Sequence, residues 1–228
     1  MKFANVVFSE NSIISKDFDD TYFSKNGAIE EKQYVFLTQN RIPQIWQNRE
    51  KIVIGENGFG LGINFLLTYK AFVNDTQSAK KLLYYTFDLY PLKFEDLKKV
   101  YENLSELKPF AYKLLEKYAN LKDGVNRFVF EDGNITLILI IDEALNSLKK
   151  FEKIDIWFLD GFAPSKNMDI YRDEVFDEIR NRSNKEAIFS TYSCAGVIKS
   201  GMQKAGFETS KTKGFGEKKH MLQGKFKE

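Results

Sequence analysis

Apolar positions along the chain fall in short β-branched runs separated by stretches with helical spacing. Residues 51–56 (KIVIGE) form one such run and break into glycines. From Leu61 to Val73 the apolar residues Leu61, Phe65, Leu66, Tyr69 and Phe72 recur every three or four places, which predicts a helix. A second buried strand is expected from Leu82 to Leu89, and after Pro91 helical spacing (Phe94, Leu97, Val100, Tyr101, Leu104) continues to Tyr118. Phe128 to Phe130 and Ile135 to Ile141 flank Asp132-Gly133, a pair that signals a β-hairpin. A short helix over Glu143 to Lys150 then leads into the strand Ile154 to Leu159. Tyr171 to Arg182 reads as a helix, Ala187 to Tyr192 as a strand, and Gly196 to Ala205 as a helix stopped by Gly206. Glu208 to Lys213 and His220 to Phe226 read as a terminal strand pair.

Nearly continuous apolar strands alternating with helices predict an α/β fold, a mostly parallel sheet with helices on both faces. In such sheets ligands bind at the carboxyl ends of the strands. Residues 1–50, with an aromatic and acidic stretch over 18–37, are expected to form an N-terminal cap or hairpin packed on the unit formed by residues 51–228. No repeat, low-complexity tract or linker divides the chain.

Composition narrows the class. The 228 residues are 43% hydrophobic, which excludes global disorder and supplies one large self-sufficient core. Cys194 is the lone cysteine and His220 the lone histidine, so no disulfide framework, thiolate cluster or His-rich metal site is expected, and a Ser-His-Asp triad is disfavoured. The longest apolar run, Leu137 to Ile141, is far too short to span a bilayer, and the polar-broken N-terminus does not read as a signal peptide. A soluble cytoplasmic protein without membrane contact is expected, with the monomer as default. The net charge of +2 conceals an asymmetry: eight Lys and three Glu from Gly196 onward give +5, leaving 2 − 5 = −3 on the rest. A basic end on a slightly acidic body suits a polyanionic partner, although lysine-rich ends are also ordinary solvated faces.

The candidate chemistry lies at strand ends. Gly55-Glu56-Asn57-Gly58-Phe59-Gly60-Leu61-Gly62 puts an acid at the strand tip and glycines at alternate positions beyond it. The dinucleotide fingerprint G-x-G-x-x-G would need glycine where Ile63 stands. The order acid-x-G-x-G-x-G instead resembles the first motif of class I S-adenosylmethionine methyltransferases, although a plain glycine turn would look similar. In that reading Gly58 and Gly60 admit the methionine portion of the cofactor, and Glu56 bonds its amino group directly or through water. Asp88 ends the second strand, where a carboxylate can accept both ribose hydroxyls. Asp142 ends the next long apolar strand and could take the adenine amino group, or simply cap the helix that follows. The fourth strand runs into Asp160-Gly161-Phe162-Ala163-Pro164-Ser165-Lys166-Asn167, a loop with an acid, an aromatic and a proline where an exocyclic amine would meet the methyl group.

These residues resemble the methyltransferase domain of the MnmC family, which modifies the wobble uridine of tRNA. The matching stretches include Asp17 to Ser24 with Gly27 and Glu30-Glu31, Tyr34 to Leu37 with Asn40, Gly55 to Phe65, and Trp157 to Pro164 with Lys166-Asn167. Thr191, Ser193, Ala195-Gly196, Ala205-Gly206-Phe207, Lys213 to Gly216 and Lys218-Lys219 extend the likeness to the C-terminal part. The usual family form continues into an FAD-dependent oxidase, which these 228 residues do not include. The resemblance implies a class I, Rossmann-like methyltransferase that moves a methyl group from S-adenosyl-L-methionine to the amine of 5-aminomethyluridine 34, in the anticodon stem-loop, without a metal. It implies Asp160, Phe162 and Pro164 at the reacting centre, and Gly55, Glu56, Asn57, Gly58, Gly60, Gly62, Asn64, Asp88, Asp142 and Asp160 around the cofactor. Tyr22, Lys166, Lys211, Lys213, Lys218 and Lys219 are expected on the tRNA side, with Tyr192 a further stacking candidate. Two other readings stay open: a class I methyltransferase acting on another amine, small or ribosomal, and a non-catalytic RNA-binding module of the same fold.

Overall fold

A computed structural model of the protein describes residues 1–10, 12–24 and 27–227; Asn11, Lys25, Asn26 and Glu228 lie outside the described residues. Strands β1 (Val6–Phe8), β2 (Ser12–Ser15) and β3 (Asp20–Ser24) pair antiparallel in a small sheet of their own. A short helix α1 (Ala28–Lys32) runs directly into a π-helical turn, Gln33–Thr38, whose Val35, Phe36 and Leu37 are buried. The main fold follows: β4 (Lys51–Glu56), α2 (Ile63–Asn74), β5 (Lys81–Asp88), α3 (Phe94–Tyr101), α4 (Lys108–Tyr118), β6 (Gly124–Phe130), β7 (Ile135–Ile141), α5 (Ala144–Leu148), β8 (Ile154–Phe158), α6 (Asp173–Arg182), β9 (Ser183–Thr191), α7 (Gly196–Lys204), β10 (Phe207–Lys213) and β11 (His220–Phe226).

The main sheet has the order β10-β11-β9-β8-β4-β5-β7-β6. Strands β9, β8, β4, β5 and β7 run parallel, and β11, β10 and β6 are antiparallel to their neighbours. From β4 the chain first builds outward through β5 and later returns to lay β8 on the other flank. That reversal opens a crevice at the carboxyl ends of β4 and β8, where ligands settle in open parallel sheets. Both faces are covered because alternate residues serve opposite cores: Ile52 and Ile54 join the cluster under α2, α3 and α4, whereas Val53 joins the one under α5, α6 and α7.

Three boundaries differ from expectation. Strand β6 begins at Gly124 rather than Phe128, because its residues alternate, with Asn126, Phe128 and Phe130 inward and Val125 and Val129 exposed. Strand β9 begins at Ser183, ahead of Ala187, beside a break in register between Ile154 and Ile156 of β8. The 18–37 stretch is strand only in its first part, since α1 and the π-helical turn occupy 28–38.

The N-terminal segment shares the larger core, to which Val35, Phe36 and Trp46 contribute. Asn40 pins it: its buried amide donates to the Phe36 carbonyl at 2.8 Å and to the Ser190 hydroxyl on β9 at 2.6 Å. Replacing Asn40 by Ala strands both acceptors away from water, so unfolding in urea should show a loss of about 1–3 kcal/mol. An unchanged midpoint would mean that this amide does not fasten the segment to the sheet.

Candidate active site

A cavity of about 590 Å³ opens at the carboxyl end of the sheet, within the range of small-molecule sites. Its floor is the turn between β4 and α2, where Gly58 (φ 88°) and Gly60 (φ 52°) adopt left-handed conformations closed to most side chains. The Phe59 N–H donates to the Phe87 carbonyl at 2.8 Å, tying the turn to the end of β5. Asp88 lines one side, where its carboxylate accepts the Gly60 N–H at 2.9 Å and the Tyr90 N–H at 3.0 Å. Burial pushes this carboxyl up to about 7 against those two N–H donors. The surface that Asp88 keeps faces the cavity, and water there opposes the shift.

The opposite side is built by β8 and α2. Asn64, in the first turn of α2, donates its amide to Glu56 Oε1 and to Asp160 Oδ2, at 2.7 Å each. Asp160 Oδ1 accepts the Gly161 N–H at 3.0 Å, and Oδ2 also pairs with the ammonium of Lys32 from α1. Glu56, 1% exposed, does not line the cavity but stands behind Asn64. Burial, then the negative charge of Asp160, push its carboxyl up to about 8, opposed by the Asn64 amide and the Lys32 charge. Glu56 Oε2 and Asn64 Oδ1 are buried acceptors without a hydrogen-bond partner among the described residues.

An aromatic wall closes the mouth. The Phe162 ring lies 4.8 Å from both Phe18 and Tyr22, edge-on to the latter. The β2–β3 turn and β3 clamp the following loop: Asp20 accepts the Ala163 N–H at 2.9 Å, and Asp19 holds Lys166 at 2.5 Å. Tyr192 donates to the Gly161 carbonyl at 2.8 Å and carries the Lys218 ammonium 4.5 Å from its ring centre. Lys218 in turn reaches Glu31 at 2.9 Å. Burial, then the charge of Asp160, raise the Tyr192 hydroxyl, so it remains a donor.

Of the expected residues, Tyr22, Gly58, Gly60, Asn64, Asp88, Asp160, Phe162, Tyr192 and Lys218 line this cavity. Asp142 is not among the lining residues: its carboxylate accepts the Glu143 N–H at 2.8 Å and pairs with Lys150 at 3.0 Å. Its neighbour Glu143 lines the cavity instead. Gly55 is also outside the lining, because the Trp157 ring covers its free face, and Gly62 serves as the left-handed cap of α2 above Phe59. Asn57, Pro164 and Lys166 lie beside the cavity without lining it, and Lys211, Lys213 and Lys219 are exposed on β10 and the turn after it. Lys32 escaped the sequence reading altogether, although it directly follows the matched pair Glu30-Glu31.

The chemistry of the cavity wall can be set against that of S-adenosyl-L-methionine, a molecule with an ammonium group, a ribose diol and a sulfonium. The unpartnered Oδ1 of Asn64 on the cavity wall suits an ammonium group, a glycine turn suits close backbone approach, and Asp88 suits a diol. The residues fit. Among the described residues no helix is long and apolar enough to cross a membrane, and no cluster of His, Cys, Asp and Glu has metal-binding geometry.

Comparison with known proteins agrees. A family model described as S-adenosyl-L-methionine-dependent methyltransferase matches residues 105–227. The tRNA 5-methylaminomethyl-2-thiouridine biosynthesis bifunctional protein MnmC of Idiomarina loihiensis is 35% identical, over 98% of this chain and 38% of that protein. The protein of the same name from Aliivibrio fischeri is 40% identical, over 92% of this chain and 33% of its own. The chain therefore spans about a third of the length of the curated relatives it matches. Among solved structures, MnmC2 from Aquifex aeolicus superposes with a TM-score of 0.75 at 21% identity, covering 98% of this chain and 70% of that one. Spermidine synthase from Thermotoga maritima gives 0.51 at 13%, covering 97% and 71%. Both are likenesses of fold.

Glu56 allows a test independent of any ligand. A carboxyl whose pKa is raised by folding binds more protons in the native state, so its contribution is present at low pH and is lost as pH rises toward about 8. The protein without ligand should lose stability across pH 5–8 with a slope from this group of up to about 1.4 kcal/mol per pH unit. Glu56→Gln should remove that slope. Urea titrations of both proteins at several pH values, if parallel, would show that Glu56 is ionised in the fold throughout.

Proposed function

The chain belongs to the S-adenosyl-L-methionine-dependent methyltransferase family, and on that premise we propose that it methylates the 5-aminomethyl nitrogen of wobble uridine 34 in tRNA. What carries this reading is the presence of Asp160, the glycine turn and an aromatic wall in one cavity, together with relatives named for 5-methylaminomethyl-2-thiouridine biosynthesis. A tRNA substrate also fits a cytoplasmic setting.

The roles follow from position. Asp88 takes the ribose diol, Gly58 and Gly60 leave room for the chain of the cofactor, and the Asn64 side-chain carbonyl oxygen accepts from its ammonium, with Glu56 behind holding the Asn64 amide. When bound, S-adenosyl-L-methionine supplies a methyl whose C–S bond breaks with its electrons left on sulfur as the amine lone pair forms the C–N bond. The protein has no strong electrophile to provide, so its main contribution is alignment. Asp160 accepts a hydrogen bond from the amine, orients its lone pair and receives the proton released from nitrogen, directly or through water. Phe162, Phe18 and Tyr22 offer ring faces on which an unstacked anticodon base can lie.

Incubation with labelled S-adenosyl-L-methionine and tRNA bearing 5-aminomethyluridine, followed by nucleoside analysis, should find the label on the aminomethyl nitrogen. Label on any other nucleoside would favour a different amine or RNA substrate. Asp160→Asn should leave cofactor affinity nearly unchanged while single-turnover methylation falls about 10²-fold or more. A parent-like rate would remove Asp160 from the reacting centre.

Lys211, Lys213 and Lys219 stand exposed beside the turn whose Lys218 reaches the cavity, and they support a phosphate-binding face there. Each phosphate neutralised by a lysine changes the slope of log K against log salt by about −0.7 to −0.9. The Lys211→Ala, Lys213→Ala, Lys219→Ala triple variant should bind tRNA more weakly and with a flatter salt dependence, with affinity for S-adenosyl-L-methionine retained. Identical slopes would move the RNA surface elsewhere.

A further inference from the structure

An amine can attack a methyl group only through its lone pair, which an ammonium lacks, yet an alkylamine in neutral water is mostly ammonium. A lone carboxylate in a cavity makes this worse, because it stabilises the cation. Asp160 is not alone. The ammonium of Lys32 already sits on its Oδ2, within the same cavity, with 19% of the Lys32 side chain and 15% of the Asp160 side chain exposed. Asn64 donates to that same oxygen and the Gly161 N–H to the other.

We infer that Lys32 is a positioning residue that makes the site select the substrate amine in its neutral form, by occupying the carboxylate of Asp160 with a fixed positive charge. This rests on the aminomethyl substrate proposed above and adds to it a device for the proton.

The charges around Lys32 support the inference. Asp160 from the loop after β8 pairs with it and Glu56 of β4 feels its charge, while Asp20 of β3, Glu31 of α1 and Tyr192 line the same cavity. Glu31 is paired with Lys218, the Asp20 carboxylate accepts the Ala163 N–H, and the raised pKa values of Glu56 and Tyr192 hold both toward their neutral forms at pH 7. The Phe36 ring lies 5.7 Å from the Lys32 nitrogen and helps hold it in place. Lys32 and Asp160 therefore offset one another, as do Lys218 and Glu31, while Asp20 keeps its negative charge at the Ala163 N–H. A second cation would be repelled by Lys32, and the Asp160 carboxylate, already paired, holds it less well. A neutral amine can instead donate an N–H to Asp160 and keep its lone pair free. The proton of the substrate ammonium is lost to solvent as the amine enters. After transfer, the methylated nitrogen carries the new positive charge, Lys32 repels it, and its extra proton leaves through Asp160 to water.

Single-turnover methylation at saturating tRNA and cofactor reports ionisations of the bound complex, so its pH profile reads this effect. For Lys32→Met the rising limb should shift upward by about one pH unit or more, with an unchanged alkaline plateau, whereas Lys32→Arg should keep the parent profile. A purely structural role would lower the rate equally at every pH. Lys32→Gln serves the same purpose if the Met variant does not fold.

A second readout needs no turnover. Calorimetry in two buffers of different ionisation heat counts the protons released when cofactor-free protein binds aminomethyl tRNA, relative to tRNA with an unmodified uridine. At pH 7 the parent should release close to one more proton with the modified tRNA, and Lys32→Met clearly fewer. Coincident pH profiles with equal proton release overturn the role of Lys32. A parent that does not methylate the aminomethyl tRNA overturns the substrate assignment, and this proposal with it.

Discussion

Two carboxylates share one side-chain amide at the centre of this molecule. Asn64 holds Glu56 and Asp160 from the same nitrogen, in surroundings that water barely reaches. Two bare negative charges so close would be costly there, and the structure meets the cost in two ways. Glu56 moves toward its neutral form, and Asp160 acquires Lys32 as a counter-charge. Much of the architecture follows. The glycine turn must be tight enough to place the first turn of α2 above the tip of β4. The N-terminal segment must dock so that α1 delivers its lysine. The loop after β8 must be clamped, as Asp20 clamps it, so that Asp160 holds its orientation.

The cavity thus has two ends of different electrical character. At one, Asp88 receives backbone N–H donors and keeps a carboxylate edge toward the cavity, suited to neutral hydroxyl groups. At the other, acid, amide and lysine form a compensated corner suited to a nitrogen whose charge changes during reaction. Proteins of widely different sequence share this sheet, as the superposition on spermidine synthase shows, so the fold alone does not choose the acceptor. In the function proposed for this chain, the choice falls to the corner and to the rings above it.

Much of this was legible from residue order. Acids at the ends of apolar strands, and glycines following the first of them, located Glu56, Asp88, Asp160 and the turn, because a parallel sheet brings consecutive strand ends to one edge. Asp132-Gly133 correctly announced the β6–β7 hairpin. The rest was hidden where spacing along the chain says little. Asp142 and Glu143 both follow β7, and only the direction of the chain there decides which turns back to the backbone and Lys150 and which faces the cavity. Lys32 looked like one surface lysine among many, since nothing local marks the residue whose partner lies 128 positions away. Alternating exposed valines hid the first half of β6, because the sequence there reads as half polar.

That distance has a consequence for how the protein comes into being. The reacting corner joins residue 32 to residue 160, and the mouth joins residue 31 to residue 218. Contacts so remote in sequence close only after the intervening chain has been ordered, since each must overcome the entropy of a long loop. On the ribosome Glu31 and Lys32, at the end of α1, therefore wait for their partners until Asp160 and Lys218 have been made. A chain made as far as α4 contains the glycine turn and, of the main sheet, strands β4 and β5, but it has no Asp160 for Lys32 to meet. If the corner acts as proposed, activity itself reports that α1 has found the loop after β8 and the turn that carries Lys218.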